Sequence, residues 1–225
     1  SPQDGSELSQ LMKNADTAMY HAKHEGANRY LFFNDSMNKL AVKRLQVENL
    51  IRHGLKENYF TVFYQPKMDI VTGTLVGMEA LVRFITPKGG LLSPASFIPV
   101  AEETGQIIEI GEVVVRKACQ AVKGWIDQGL FHGRVAVNLS VKQFMLPYLC
   151  EQIDDVLKQT ELPSYHLEME ITEGMVMQDA ERAIRILTAI KALGVRLAID
   201  DFGVGYSSLA QIKRFPIDTL KIDRE

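Results

Sequence analysis

The chain has 225 residues, 46% hydrophobic and 24% charged, with 25 Lys+Arg against 28 Asp+Glu for a formal net charge of −3; these are globular proportions and exclude a disordered chain. So even a balance gives no basis for gripping a nucleic-acid polymer through its phosphates, no apolar run approaches the ~18 residues of a membrane span, and no charged-then-apolar leader opens the chain, so no membrane contact is expected. Cys119 and Cys150 belong to no CxxC or Cys/His cluster, which argues against a structural zinc site or disulfide scaffold and for a reducing, cytoplasmic location.

Asn14–Gly26 reads as a helix with a capping residue at one end and glycine at the other, and Ala18, Met19 and Ala22 fall on one stripe. Asn28–Phe33 then reads as a short strand closing on the turn-prone Asn34-Asp35. One helix and one strand cannot make a core, so residues 1–33 read as the tail of a preceding domain. From Met37 to Glu57 a helical period (Leu40, Leu45, Val47, Leu50, Ile51, Leu55) predicts a connecting helix, with 34–47 as linker and 48–225 as the main domain. Strands are expected at Phe60–Gln65, Val76–Phe84, Arg134–Leu139, Leu167–Ile171, Arg196–Asp200 and Thr219–Ile222. Helices are expected at Ser93–Glu103, Ile107–Gln128, Pro147–Thr160, Asp179–Leu193 and Ser207–Arg214. Ser93-Pro94 supplies a cap and a first-turn proline, and Gly194 a helix stop. After an opening antiparallel pair, this alternation implies βαβ units and a parallel sheet.

Strands of parallel sheets are usually apolar on both faces, and these are not. Side chains alternate along a strand, so Glu168, Glu170 and Thr172 share one face and Leu167, Met169 and Ile171 the other. Glu79 with Arg83, Ala136 with Asn138, Ala198 with Asp200, and Lys221 with Asp223 are arranged likewise. One arrangement is an open sheet with a wet face. The other, favoured because crossover helices cover both faces of an open parallel sheet, is a TIM-type (β/α)8 barrel whose polar faces converge on the C-terminal mouth. Glu79, Asn138, Glu170, Asp200 and Asp201 would then share a cavity. Such carboxylates could not stay ionised unpaired. A hard-oxygen set without Cys or His suits Mg²⁺ or Mn²⁺, with two ions bridged by a carboxylate as one arrangement. The Gly-containing Asp201–Ser208 segment is by itself weak evidence, equally a tight strand–helix connection.

These residues resemble the EAL family of cyclic-di-GMP phosphodiesterases. Glu79-Ala-Leu81 is the signature tripeptide. Gln65-Pro66, Leu92-Ser-Pro-Ala-Ser-Phe-Ile-Pro-Val-Ala-Glu-Glu103, Val137-Asn-Leu-Ser140, Glu168-Met-Glu-Ile-Thr-Glu173, Ala198-Ile-Asp-Asp-Phe-Gly203 and Leu220-Lys-Ile-Asp223 follow in the family's order. Ala15-Asp-Thr-Ala-Met-Tyr-His-Ala-Lys23 and Gly26-Ala-Asn-Arg-Tyr30 resemble the last helix and strand of a GGDEF diguanylate cyclase domain.

The resemblance implies metal ligation by Glu79, Asn138, Glu170, Asp200 and Asp201. Lys221 would orient the attacking water, Glu173 would hold the loop after Asp201, and Asp223 is a further acidic position. Gln65 and Arg83 match substrate-facing positions. It also implies hydrolysis of cyclic di-GMP to linear pGpG with two Mg²⁺ or Mn²⁺ ions, the alternative being a non-catalytic cyclic-di-GMP receptor. Degenerate members of that kind usually lose the signature glutamate or metal aspartates, and this sequence keeps them. Two departures stand out. Val204 replaces the family's usual threonine, and residues 48–225 fall short of the ~250 of a (β/α)8 barrel. A barrel ending after about its sixth strand is therefore expected, inactive as given, with open edges that favour a homodimer.

Overall fold

The computed structural model describes residues 7–24, 28–203 and 212–223, and the chain divides into two units, residues 1–53 and 54–225. The first holds α1 (Leu8–His24) and most of α2 (Asp35–Lys56). Ala18 and Ala22 are buried as their stripe predicts, whereas Met19 is exposed. The helix starts ahead of Asn14, which sits inside it and accepts a hydrogen bond from Gln10 Nε2 at 3.1 Å instead of capping. Asn28–Phe33 is not a strand but an irregular segment with Tyr30 and Phe32 exposed. A lone strand has nothing to pair with, and no partner strand lies beside it among the described residues.

In the second unit β1 (Phe60–Met68) and β2 (Leu75–Ile85) form the expected antiparallel pair, which places Gln65 opposite Glu79 and Lys67 opposite Gly77. Pro66 lies within β1, tolerable because β1 is an edge strand. β3 (Leu91–Leu92) adds a short antiparallel step on β2. β4 (Arg134–Asn138), β5 (Leu167–Thr172), β6 (Arg196–Phe202) and β7 (Thr219–Ile222) follow in parallel, giving the order β1-β2-β4-β5-β6-β7. This is an α/β fold in the strand order of a (β/α)8-type barrel. Among the described residues the sheet stays open, with β1 and β7 at its edges.

Three crossover helices cover the apolar face: α4 (Ile107–Asp127), α6 (Leu149–Thr160) and α8 (Ala180–Ala192), with α3 (Pro94–Thr104) before them. Val115, Ala118 and Val122 of α4, Ile153 and Val156 of α6, and Leu187 and Ile190 of α8 are buried, as are Val135, Val137, Leu167, Met169, Ile171, Leu197 and Ile199 of the strands. Each of the larger apolar side chains, fully buried, stabilises by roughly 1.5–3 kcal/mol. Ser93 occupies the N-cap position of α3 with Pro94 behind it, though its side chain makes no capping bond. Gly194 (φ 87°) ends α8 by donating to the Lys191 carbonyl at 2.9 Å. Two short helices, α5 (Val141–Phe144) after β4 and α7 (Glu173–Met177) after β5, have no counterpart in the sequence reading. The predicted helix at Ser207–Arg214 falls largely outside the described residues. No helix among those described is long and apolar enough to cross a membrane.

Candidate active site

Glu79 on β2, Glu170 on β5 and Asp200 on β6 each bring one carboxylate oxygen within 4.8 Å of the others. At such spacing like charges repel by several kcal/mol in a partly desolvated setting, about 4 kcal/mol at 4 Å and an effective dielectric of 20. Lys221 on β7 resolves the repulsion. Its Nζ donates to Glu170 Oε2 at 2.7 Å, Asp200 Oδ2 at 2.8 Å and Glu79 Oε2 at 3.3 Å. Burial works to lower the Lys221 pKa, but the bonds to Asp200 and Glu170 outweigh it and hold the ammonium above the ordinary lysine range. Burial likewise pushes the Glu170 carboxyl up, and the Lys221 and Lys67 ammonium groups oppose it. Asn138, at the end of β4, donates its amide Nδ2 to Glu79 Oε1 at 2.8 Å, which leaves the carboxamide oxygen as a further hard donor.

Asp201 extends the acidic set through a change in the backbone. Its φ is 55°, left-handed for a residue with a side chain, and the pairing of β6 with β7 shifts register between Ile199 and Phe202. Ordinary strand alternation would send Asp200 and Asp201 to opposite faces; here both line one cavity of about 970 Å³ with Gln65, Lys67, Glu79, Lys221 and Asp223. That volume is at the large end of ligand sites. Burial first, then Asp200 and Asp223, push the Asp201 carboxyl up. Glu173, the first residue of α7, accepts from the Gly203 backbone N–H at 3.2 Å. Val204 lies outside the described residues. Arg83 stands apart from the cluster: its guanidinium lies over the Phe63 ring at 5.4 Å and Nη1 donates to the Val82 carbonyl at 2.8 Å.

Lys67 was not singled out from the sequence, and Glu168 was placed on the polar face without a role at the site. Lys67 Nζ donates to Glu170 Oε1 at 2.7 Å and Glu168 Oε1 at 3.2 Å. Glu168 also accepts from Thr219 Oγ1 at 3.3 Å. Lys67 was missed because the predicted strand stopped at Gln65, before the proline; continued through it, the i, i+2 alternation puts Lys67 on the face of Gln65.

The three clustered carboxylates could hold a metal ion. Their donors are hard oxygens, which suits a small divalent cation, and the ammonium drawn among them shows that the pocket attracts positive charge. The sequence profile described as EAL domain matches residues 48–225. The chain belongs to the EAL domain family. It is 44% identical over 223 residues to the bifunctional diguanylate cyclase/cyclic di-GMP phosphodiesterase MucR of Pseudomonas aeruginosa, a match that takes in 99% of this chain and 33% of that protein. It is 35% identical over 224 residues to the cyclic di-GMP phosphodiesterase PdeR of Escherichia coli, covering 100% of this chain and 34% of PdeR. The chain thus spans about a third of these relatives' length. Among solved structures, the PaMucR phosphodiesterase in complex with c-di-GMP matches with a TM-score of 0.76 at 41% identity, over 80% of this chain and 72% of that one. The FimX EAL domain from Pseudomonas aeruginosa shares the fold at 23% identity, with a TM-score of 0.71 over 79% and 71% of the two chains.

Proposed function

We propose that the protein hydrolyses one phosphodiester of cyclic di-GMP to give linear pGpG, in the cytoplasm, with two Mg²⁺ or Mn²⁺ ions. The observation that carries the reading is the Glu79–Glu170–Asp200 cluster closed by Lys221, found in a chain whose relatives include named cyclic di-GMP phosphodiesterases. Glu79, Asn138, Glu170, Asp200 and Asp201 would hold the metal, which when bound supplies Lewis-acid activation of water and neutralises charge at phosphorus. Lys221 bonds three carboxylates at once, so its ammonium is placed to orient a water among them and to offset anionic charge. Glu173 fixes the turn after Asp201 through Gly203. Gln65, opposite Glu79 at the cavity wall, and Arg83 would face the substrate, Arg83 suiting a phosphate oxygen pair once drawn from Phe63; Asp223 adds acidity at the rim. Residues 1–33 would be the end of a GGDEF domain, a reading in keeping with a relative named a bifunctional diguanylate cyclase/cyclic di-GMP phosphodiesterase that matches 99% of this chain. A homodimer is expected through the edge strands β1 and β7.

HPLC of cyclic di-GMP incubated with the full-length protein decides the reading. pGpG should form with Mg²⁺ or Mn²⁺ and not in EDTA, and Asp200→Asn should abolish it with the fold kept. Binding of cyclic di-GMP without pGpG under either metal would make the protein a receptor instead.

A further inference from the structure

Glu170 is the most buried of the three clustered carboxylates, 1% exposed, and its two oxygens are held by different ammonium groups. Oε2 is taken by Lys221 and Oε1 by Lys67, each at 2.7 Å. Lys221 is part of the site already described; Lys67 comes from the opposite edge of the sheet. To reach Glu170 on β5 its side chain must pass over β2 and β4, and both strands offer small residues on that path. Gly77 stands opposite Lys67 on β2, where an added Cβ would lie 3.8 Å from the lysine Cδ. Ala136 on β4 is in register with Glu168. At the far end Glu168, on the face of Glu170 and two residues before it, takes the second ammonium bond at 3.2 Å. Thr219 Oγ1 at 3.3 Å and Arg134 at 3.9 Å hold Glu168 in turn.

We infer that Lys67 is a positioning residue for the acidic cluster: by tying Glu170 Oε1 to the Glu168 support it keeps Oε2 turned toward Glu79 and Asp200. This rests on the proposed reading of those three residues as metal ligands. A carboxylate's terminal torsion is soft, so without Lys67 the plane of the Glu170 carboxylate is held from one side only, by Lys221. Groups that hydrogen-bond a metal ligand from behind typically account for about 10–100-fold in metal affinity. As a like charge near a cation, Lys67 would weaken metal binding, and its removal would tighten it; as a positioning group, its removal loosens it.

Mn²⁺ titration of the EDTA-stripped full-length protein, followed by electron paramagnetic resonance of free Mn²⁺, separates the two. Lys67→Met is expected to bind Mn²⁺ about 10–100-fold more weakly, and Lys67→Arg to recover most of the loss. Circular dichroism and thermal unfolding in EDTA report folding, and Lys67→Gln replaces the methionine variant should that one not fold. Unchanged or tighter Mn²⁺ binding without Lys67, or a loss that arginine does not rescue, overturns the inference. Absence of Mn²⁺ binding by the unsubstituted protein overturns the metal reading of the cluster itself, and this inference with it.

Discussion

Glu173 Oε2 accepts the Gly203 backbone N–H at 3.2 Å, tying the first residue of α7 to the turn that follows Asp200 and Asp201. Gly203 has φ 107°, where residues with side chains are strained, so the turn is set by a glycine and fastened by a carboxylate. Glu173→Ala is expected to lower kcat by roughly 10–100-fold with little change in KM, because small displacements of positioning groups cost about that much. Glu173→Gln, which keeps an acceptor oxygen, should lose less. Initial rates of pGpG formation test both, and an alanine variant with full kcat would remove this tie from the account.

Lys221 bonds Glu79, Glu170 and Asp200 together. Lys221→Met leaves those charges without that partner, a change that costs about 3–5 kcal/mol when the pair is buried; with Lys221 about a quarter exposed, the low end is expected. The melting temperature in EDTA should fall, saturating Mn²⁺ should restore most of it by mass action, and turnover should be lost. Scanning calorimetry with and without Mn²⁺ measures this. An unchanged melting temperature in EDTA would mean that the cluster does not depend on the ammonium.

Asp218, just ahead of β7, accepts from Lys191 at 2.8 and 2.7 Å, Arg196 at 2.7 Å and the Leu197 N–H at 2.9 Å. Burial works to raise its pKa, but these donors outweigh it and hold the carboxyl below the ordinary 3.8. A depressed carboxylate stabilises the fold fully above its unfolded pKa and loses that contribution as pH falls through the folded value. Asp218→Asn should therefore cost about 1–2 kcal/mol at pH 7. The gap to the unsubstituted protein should shrink as pH drops below that ordinary value. Urea denaturation at pH 7 and across an acid series provides the measurement; a gap that persists undiminished in acid contradicts the assignment.

Gly111 sits in α4 where an added Cβ would overlap the Gln143 carboxamide. That carboxamide completes a capping box on α5, accepting from Ser140 Oγ at 2.8 Å and Ser140 N at 3.2 Å. Gly111→Ala is expected to destabilise by about 1–3 kcal/mol, the usual cost of overpacking. It should also weaken Mn²⁺ binding, because α5 begins shortly after Asn138. Thermal unfolding and Mn²⁺ titration on the same variant test the coupling; normal binding in a destabilised protein would confine the effect to packing.

What the sequence made readable was whatever repeats along an element. Alternation in β2, β4, β5, β6 and β7 separated Glu79, Asn138, Glu170 and Lys221 from the apolar face, and Asp179, Pro94 and Gly194 marked helix ends that the structure keeps. Where one element must reach another, pattern was silent. Lys67 meets Glu170 across two intervening strands, and α5 and α7 are shorter than the two turns a periodicity needs. Asn28–Phe33 shows the converse error: strand-like composition without a partner gives no strand.

The bend at Asp201 bears on any attempt to move this chemistry elsewhere. Two neighbouring aspartates can border one cavity only because the strand is irregular between them, with Asp201 in the left-handed region and the register shifted. Copying the acidic residues onto a regular barrel would point one of the pair into the hydrophobic layer. A transplanted site must import the irregular stretch of backbone as a component in its own right, alongside the side chains it displays.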